Sequence, residues 1–328
     1  MPRLQIDWPL THGSGILSFP DVFYRLEQHG AVVGMWTTKT YTLSKRYGNE
    51  NDTVCELEGG AGNRMGLPNP GLEKEVDGVK VPNQNALNEY RTPLKYPVNF
   101  SLGGFTIEEY VKGTTIIEKE LPCREGCARI AAIELNGSCS NKVPGEQQTL
   151  SMLCYSPERV KELVSEVRKV TGKPLIFKLS PDCDVRRVAK AAEDGGADYI
   201  GVANTSAGMF LRKNGKFVLA GGGGGISGKM LKPRNLRATY EVYEAIDPAK
   251  TGIIGQGGIG CNLQDLLDYF RAGASICGFG TEAVMDVDTP DLAQSTRRLA
   301  ESWKDWLKEN DTTLDNVVGS SHPNRSKR

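Results

Sequence analysis

The segment Glu134-Leu-Asn-Gly-Ser-Cys-Ser-Asn141 holds the densest group of side chains in this chain that could do chemistry together. It offers two carboxamides, hydroxyls and a thiol within six residues. Carboxamides both donate and accept hydrogen bonds, so they can recognise a planar, amide-like ligand. A thiol, with an ordinary pKa of about 8.5, can take up a proton once it is ionised. The alternative is a polar junction between strand and loop with an incidental cysteine, and the segment alone does not decide.

The elements around this segment predict a closed barrel. The apolar run Ala131-Ala132-Ile133 indicates a buried strand that ends where the polar residues begin. From residue 157 onward, helical patterns that run from Pro157 to a stop at Gly172 and near 184–194, 234–246 and 262–271 alternate with short apolar strands. Repeated units of this kind form a parallel sheet with right-handed crossovers, and about eight of them close into a barrel. We therefore predict an α/β fold, a (β/α)8 TIM barrel, as one domain over residues 1–318.

Two parts of the chain depart from the regular alternation. Residues 44–95 are polar and rich in Asn, Gly and Pro, which predicts long insertions at the active face and is compatible with a small antiparallel hairpin. Residues 319–328 are polar and basic, and we expect a disordered tail there.

Composition excludes several classes of partner. Lys plus Arg balances Asp plus Glu at 40 each, so no nucleic-acid partner is implied. We find no export signal and no apolar run of the ~20 residues that a membrane span needs. The eight cysteines are scattered, which favours a reducing, cytoplasmic setting and predicts no metal site. A redox pair of Cys123 and Cys127 stays open.

Polar residues follow several of the predicted strands. Lys39 comes after one apolar run, Lys178 follows Leu175-Ile-Phe, and Asn204-Thr205 follow Ile200-Gly-Val-Ala. Residues just past the carboxyl ends of parallel barrel strands converge on one mouth. A single lysine would by default be a solvated surface charge, but the coincidence at several strand ends favours a shared site.

Glycine clusters follow the late strands, at 255–258 and 278–280, and another lies at 221–225. Bare backbone amides at such positions can approach a phosphate closely, and barrels of this kind commonly bind phosphate after strands seven and eight. Turns that need positive φ are the alternative. Two consecutive late-strand clusters favour phosphate.

Taken together and in order, these residues resemble the class 1 dihydroorotate dehydrogenases, which are flavin mononucleotide (FMN) barrels of pyrimidine biosynthesis. The resemblance runs from about Gly13 to Thr281. Its markers are Gly13-Ser-Gly15, Lys39-Thr-Tyr-Thr with Gly48-Asn49, Asn63-Arg-Met-Gly-Leu-Pro-Asn-Pro-Gly71, the segment at 134–141, Lys178-Leu-Ser-Pro181, Asn204-Thr205, Gly224-Gly-Ile-Ser-Gly228, Gly257-Gly258 and Gly280-Thr281.

The resemblance implies a role for each of these positions. Cys139 would be the general base that takes a proton from C5 of dihydroorotate while C6 gives hydride to the flavin. The residues implied to hold the substrate, dihydroorotate or orotate, are Lys39, Asn63, Met65, Gly66, Leu67, Asn136, Asn141, Asn204 and Thr205. Those implied to hold FMN are Gly13, Ser14, Gly15, Lys39, Ser101, Asn136, Lys178, Gly225, Ser227, Gly228, Gly257, Gly258, Gly280 and Thr281.

The sequence departs from the family pattern beside the base and leaves the electron acceptor ambiguous. Family members commonly carry proline at the position of Ser140, and Lys142 is an extra residue. The run Val143-Pro-Gly-Glu-Gln-Gln148 resembles the fumarate-using homodimeric branch, whereas Lys178-Leu-Ser-Pro181 resembles the NAD-linked branch, which uses an iron–sulfur flavoprotein subunit. A cysteine base without a membrane helix argues against the quinone-using class. We expect fumarate as acceptor and a homodimer.

Three rival functions share parts of this pattern. A dihydropyrimidine dehydrogenase-like reductase would apply the same flavin and thiol to uracil. A dihydrouridine synthase would act on tRNA, against which the balanced charge argues. A barrel that binds phosphate or flavin without turnover would keep the glycines and lose the base.

Overall fold

The computed structural model describes residues 4–122, 127–138, 151–219, 221–285 and 288–323. The strands are β1 (Leu10–His12), β2 (Trp36–Thr37), β3 (Val54–Leu57), β4 (Gly60–Asn63), β5 (Glu73–Val76), β6 (Val79–Pro82), β7 (Val98–Leu102), β8 (Ile130–Asn136), β9 (Leu175–Lys178), β10 (Tyr199–Val202), β11 (Ser206–Met209), β12 (Gly223–Ser227), β13 (Gly252–Gln256) and β14 (Ile276–Phe279). The helices are α1 (Pro20–Gln28), α2 (Gln84–Asn88), α3 (Ile107–Glu120), α4 (Ser151–Cys154), α5 (Pro157–Arg168), α6 (Val185–Gly195), α7 (Lys232–Ala245), α8 (Leu263–Ala272), α9 (Thr281–Val284), α10 (Thr289–Glu309) and α11 (Leu314–Val317). Among these helices, none combines the length and apolar character that crossing a membrane requires.

Eight of the described strands form one parallel sheet in the order β1-β14-β13-β10-β9-β8-β7-β2. The two end strands lie side by side, because the Gly34 N–H donates to the Leu10 carbonyl at 2.7 Å. The hydroxyls of Thr11 and Thr37 are also within 3.0 Å of each other. The sheet therefore closes on itself, and the predicted eight-stranded α/β barrel is confirmed.

The helices predicted after residue 157 are present, with ends that differ by one to three residues. Helix α5 begins as its sequence indicates, because the Ser156 hydroxyl accepts a hydrogen bond from the Arg159 N–H and Pro157 occupies the first turn. Its buried side chains, Val160 and Leu163 among them, pack toward the barrel. Helix α6 is terminated by Gly196, the residue that follows it, whose φ of 99° lies in the left-handed region.

The barrel interior changes from apolar to polar along the strands. One small core cluster includes Ala132 and Ile176. Because side chains alternate between the two faces of a strand, the next inward positions on β8 are Glu134 and Asn136, and on β9 the next is Lys178. All three are buried. The apolar end fills the bottom of the barrel, and the polar end faces the mouth.

The insertions form antiparallel sheets beside the mouth. Strands β5 and β6 make a two-stranded hairpin within residues 44–95, as the sequence suggested. A second sheet, in the order β11-β12-β4-β3, joins this insertion to residues that follow β10. In its register Asn63 pairs with Gly225. Residues 60–63 and 223–227, which are far apart in the sequence, thus lie side by side in one sheet.

Part of the C-terminal segment packs on the barrel. The Gly319 N–H donates to the Phe270 carbonyl at 2.8 Å, and the His322 ring stacks on Tyr240 with centroids 3.8 Å apart. The side chain of His322 is 7% exposed. Gly319 and His322 of the expected tail therefore contact α7 and α8 in the structure, and residues 324–328 lie outside the described part.

His12, at the end of β1, is a buried neutral imidazole. Its Nε2 accepts the Thr37 N–H at 3.0 Å, which leaves Nδ1 to donate to the Gly13 carbonyl at 3.1 Å. Phe23 and Phe279 pack on the ring at centroid distances of 5.6 Å. Burial is the largest cause that lowers the pKa of His12 from 6.5 to about 4, because the charged ring would lose its hydration. The hydrogen bond to the Gly13 carbonyl opposes this shift, and the positive charge of Lys178 adds to it.

Stability should therefore fall on mild acidification because of His12. The unfolded chain binds a proton as the pH falls through 6.5, whereas the folded protein does not until about pH 4. From about pH 7.5 to about pH 5, we expect the unfolding free energy of the wild type to drop about 2 kcal/mol more than that of His12→Gln. Urea titrations at both pH values measure this, with His29→Gln, at an exposed position, as control. Equal losses in wild type and His12→Gln would contradict the prediction.

Candidate active site

A cavity of about 450 Å³ opens at the carboxyl ends of the barrel strands, under the four-stranded sheet β11-β12-β4-β3, here called the outer sheet. This is the face on which barrels of this kind carry their active sites, and the volume lies in the range of small-molecule pockets. Its lining residues are Ser14, Gly15, Ile16, Ser18, Lys39, Thr40, Val54, Cys55, Glu56, Ala61, Asn63, Met65, Leu67, Pro68, Asn136, Asn204, Thr205, Ser227, Thr281 and Met285.

The cavity brings together many of the residues singled out in the sequence. Those on its wall are Ser14, Gly15, Lys39, Asn63, Met65, Leu67, Asn136, Asn204, Thr205, Ser227 and Thr281. Others do not contribute to the wall: Gly13, Gly66, Ser101, Lys178, Gly225, Gly228, Gly257, Gly258 and Gly280. Cys139 and Asn141, and with them Ser140 and Lys142, lie outside the described residues, as does Cys123.

Two carboxamides and a hydroxyl form a hydrogen-bonded group at the centre. The Asn204 Nδ2 lies 3.3 Å from Asn136 Oδ1 and 2.9 Å from Ser138 Oγ. Ser138 Oγ in turn donates to Asn136 Oδ1 at 3.1 Å. The backbone end of Asn136 is held by Tyr110 of α3, whose hydroxyl donates to the Asn136 carbonyl at 2.8 Å. The segment that carries the predicted base thus begins from a rigid anchor.

The loop after β4 is held in place by Asn69. Its Oδ1 accepts from the N–H groups of Thr42 and Gly71, at 3.1 and 3.0 Å, and its Nδ2 donates to the Leu67 carbonyl at 2.9 Å. Leu67 itself adopts a left-handed φ of 57°, which needs such support because a side chain disfavours that region. These bonds explain how Leu67 comes to line the cavity.

Two lysines approach the cavity from different strands. Lys178 is 4% exposed, and its ammonium donates to the Ser14 hydroxyl at 3.0 Å. Lys39 lies with its ammonium 4.7 Å from the centre of the Phe19 ring. Burial lowers the pKa of Lys39, and the nearby Glu89 carboxylate opposes that shift. The two cations give this end of the barrel a local positive charge for an electron-rich ligand.

The side of the cavity near β12 and β14 has the features of an anion cradle. The hydroxyls of Ser227 and Thr281 are 2.9 Å apart, and Thr281 opens α9. Gly258 has a φ of 67°, and a Cβ there would lie 2.7 Å from the Lys232 side chain. Only glycine fits this turn, which follows β13. Hydroxyls, bare amides and a following helix suit a phosphate.

Sequence reasoning missed several residues on the wall. Thr40 follows Lys39 directly and was visible as part of the Lys39-Thr-Tyr-Thr marker. Val54, Cys55 and Glu56 carry no signal of their own, because β3 reaches the cavity only through the pairing of the outer sheet. In the described ranges there is no cluster of three His, Cys, Asp or Glu side chains that could hold a metal ion.

Comparisons with known proteins agree with this geometry. A family profile described as "Dihydroorotate dehydrogenase" matches residues 1–294. The catalytic subunit of dihydroorotate dehydrogenase B (NAD(+)) from Geobacillus kaustophilus is 34% identical over 291 residues, covering 87% of this chain and 84% of that protein. The same subunit from Brachyspira hyodysenteriae is 33% identical over 303 residues, covering 92% and 89%.

A solved structure shares the fold at lower identity. The crystal structure of the dihydroorotate dehydrogenase of Eimeria tenella in complex with ferulenol superposes with a TM-score of 0.71 at 18% identity. The match covers 96% of this chain and 85% of that one. With the profile and the relatives, the barrel and its cavity lead to one conclusion: this chain belongs to the dihydroorotate dehydrogenase family, in its class 1 branch, and is an oxidoreductase.

Proposed function

We propose that the chain oxidises (S)-dihydroorotate to orotate with FMN in the barrel mouth, and passes the electrons to NAD+ through a second, electron-transferring subunit. The observation that carries the proposal is that one cavity is lined by the Asn136–Asn204 amide pair and by Ser14, whose hydroxyl accepts a hydrogen bond from the buried Lys178. The first suits a planar substrate that contains amides. The second places a cation where a reduced cofactor would accumulate negative charge.

The residues present fit FMN in two respects. Ser227, Thr281 and the glycine turn at Gly258 would supply neutral donors for the phosphate. At Gly225 a Cβ would stand 2.2 Å from the hydroxyl of Thr205, which lines the cavity, so only glycine fits behind that part of the wall. When bound, FMN supplies the acceptor for the hydride that leaves C6 of dihydroorotate. Lys178 and Lys39 would then stabilise the negative charge that reduction adds.

The chain's own residues would hold the substrate and move its proton. Asn136 and Asn204 would pair with the ring amides, and Asn63, opposite Gly225 on the outer sheet, would close the other side. Cys139 would take the proton from C5 as a thiolate, after which C5 and C6 are joined by a double bond. The Asn136 carbonyl held by Tyr110 restrains the start of the loop that carries this base.

The relatives favour NAD+ over the fumarate expected from the segment at 143–148. Both are named as catalytic subunits of an NAD+-linked enzyme, and the Lys178-Leu-Ser-Pro181 marker resembles the same branch. The segment that suggested fumarate lies outside the described residues. A catalytic subunit of this kind needs a partner to carry electrons, so we propose an iron–sulfur flavoprotein subunit as partner, with two copies of this chain forming the homodimer.

One anaerobic experiment tests both the oxidation of dihydroorotate and the identity of the electron acceptor. Dihydroorotate should bleach the visible flavin band of the purified protein, whereas dihydrouracil, which lacks the carboxylate, should leave it unchanged. After bleaching, NAD+ should restore the colour only when an iron–sulfur flavoprotein subunit is added, and fumarate should fail to restore it.

The outcomes separate the rivals. Bleaching by dihydrouracil would favour a uracil-type reductase, and a colourless protein unable to bind FMN would remove the enzyme proposal. Rapid return of colour with fumarate alone would overturn the acceptor and leave the dihydroorotate chemistry standing.

A further inference from the structure

Glu134 is a buried carboxylate in the barrel interior that the chemistry described above does not use. It lies two residues before Asn136 on β8 and is 1% exposed. Its Oε1 accepts from the Ser101 hydroxyl at 2.7 Å. Its Oε2 is buried and has no hydrogen-bond partner among the residues that the structure describes. Leaving such an oxygen buried and unpaired destabilises the folded protein, so stability alone does not account for a glutamate here.

A continuous row of hydrogen bonds connects this carboxylate to the substrate amides. The Ser101 hydroxyl is 3.0 Å from the Thr40 hydroxyl. The Thr40 hydroxyl is 2.8 Å from Asn136 Nδ2, and Thr40 itself lines the cavity. A hydroxyl can donate or accept, so these distances taken alone allow the protons to point either way along the row.

The carboxylate removes that ambiguity. An ionised carboxylate only accepts, so Ser101 must donate its one proton to Glu134. Ser101 can then only accept from Thr40, and Thr40, with its proton committed, can only accept from Asn136. The Asn136 amide is therefore oriented with Nδ2 toward Thr40 and Oδ1 toward Asn204.

This orientation extends to the second amide. With Oδ1 of Asn136 presented as an acceptor, Nδ2 of Asn204 faces it at 3.3 Å. The remaining oxygen of Asn204 then accepts the Thr205 N–H at 2.9 Å. A flip of Asn136 would set two amide NH2 groups against each other and leave Thr40 without its donor. The two amides thus share one pattern of donors and acceptors, which is the pattern that a ligand meets.

We propose that Glu134 is a positioning residue, which sets the direction of the Ser101–Thr40–Asn136 hydrogen-bond row and so preorganises the Asn136 and Asn204 amides for a cyclic diamide substrate. The inference rests on the proposed function, since it takes dihydroorotate and orotate as the ligands of those amides. Preorganised polar groups bind better because the protein does not have to reorient them on binding.

The test compares variants that keep size and change only the hydrogen-bond roles. Glu134→Gln is isosteric, but its amide can donate to Ser101, which permits the reversed row and the flipped Asn136. Orotate binding, followed through the perturbation of the flavin spectrum, should weaken about 10-fold. The KM for dihydroorotate should rise by a similar factor, while kcat at saturation and FMN content change little.

A second pair of variants probes the row at its other end. Thr40→Val removes the hydroxyl with little change in volume and should weaken orotate binding to a similar extent, whereas Thr40→Ser keeps the hydroxyl and should restore it. The double variant Glu134→Gln/Thr40→Val should bind orotate no worse than the weaker single variant, since both changes break one row. Asn99→Ala is the control. Asn99 is as deeply buried as Glu134 and lies on β7, the strand that carries Ser101, but it takes no part in the row.

The possible outcomes are distinct. Loss in Glu134→Gln and Thr40→Val, rescue in Thr40→Ser and normal orotate binding in Asn99→Ala support the proposal. Wild-type binding in Glu134→Gln overturns it, as does an equal loss in Asn99→Ala, which would indicate a general effect of disturbing the barrel interior. If Glu134→Gln does not fold, unequal binding in the two Thr40 variants supports the row and equal binding overturns it. Failure of the wild type itself to bind orotate overturns the proposed function, and this inference with it.

Discussion

Cys139→Ala should retain FMN and lose most of its reduction by dihydroorotate, with a rate lower by about 10²–10⁴-fold. The thiolate is the only group proposed to accept the C5 proton, and alanine can neither accept that proton nor hold a water rigidly in its place. In the wild type the rate should rise with pH until the thiol is ionised, and this dependence should disappear in the variant. Anaerobic stopped-flow measurement of flavin bleaching across pH gives both results.

Three of the described thiols, those of Cys154, Cys183 and Cys261, make poor substitutes. Burial raises the pKa of Cys183 and Cys261 to about 12 and also raises that of Cys154. These thiols stay protonated near neutral pH and cannot act as bases there. Cys127→Ala is the control, since Cys127 lies just before the start of β8, at the opposite end of the strand from the cavity. Bleaching by Cys139→Ala at the wild-type rate would remove Cys139 from the base role.

Lys178→Met should lower the rate of reduction by dihydroorotate about 10²–10³-fold, the usual loss on removing one preorganised electrostatic group. The methionine fills nearly the same space, so the effect isolates the charge. Lys178 is 4% exposed, and its ammonium lies 3.0 Å from the Ser14 hydroxyl. Little water is therefore present to screen its positive charge. The midpoint potential of the bound flavin should also become more negative, which potentiometric titration measures.

The matched control for Lys178→Met is Lys173→Met. Lys173 lies just before the start of β9, whereas Lys178 is the last residue of that strand. Lys173 pairs with Glu118 at 2.6 Å, and its side chain is 20% exposed. The same change of charge there should leave the potential and the reduction rate unchanged. Equal effects in the two variants would mean that the net charge of the barrel matters and the position of the lysine does not.

Much of the barrel could be predicted because its signals are local. The Ser156 cap with Pro157 begins α5, and the left-handed Gly196 ends α6. These features depend on neighbours within a few residues, which a sequence shows directly. The convergence of Lys39, Asn136 and Asn204 on one mouth followed from a rule of parallel barrels and not from any local feature.

The sequence by itself determined the alternation of strands and helices from residue 157 onward, the polar residues at the strand ends and the family. Only the tertiary structure decided that Asn63 faces Gly225 across the outer sheet and that Glu134 reaches Asn136 through Ser101 and Thr40. Both depend on strand register, which brings together side chains from distant segments. In the sequence Glu134 is one acidic residue beside an apolar run, and its proposed role becomes visible only when β7 and β8 are paired.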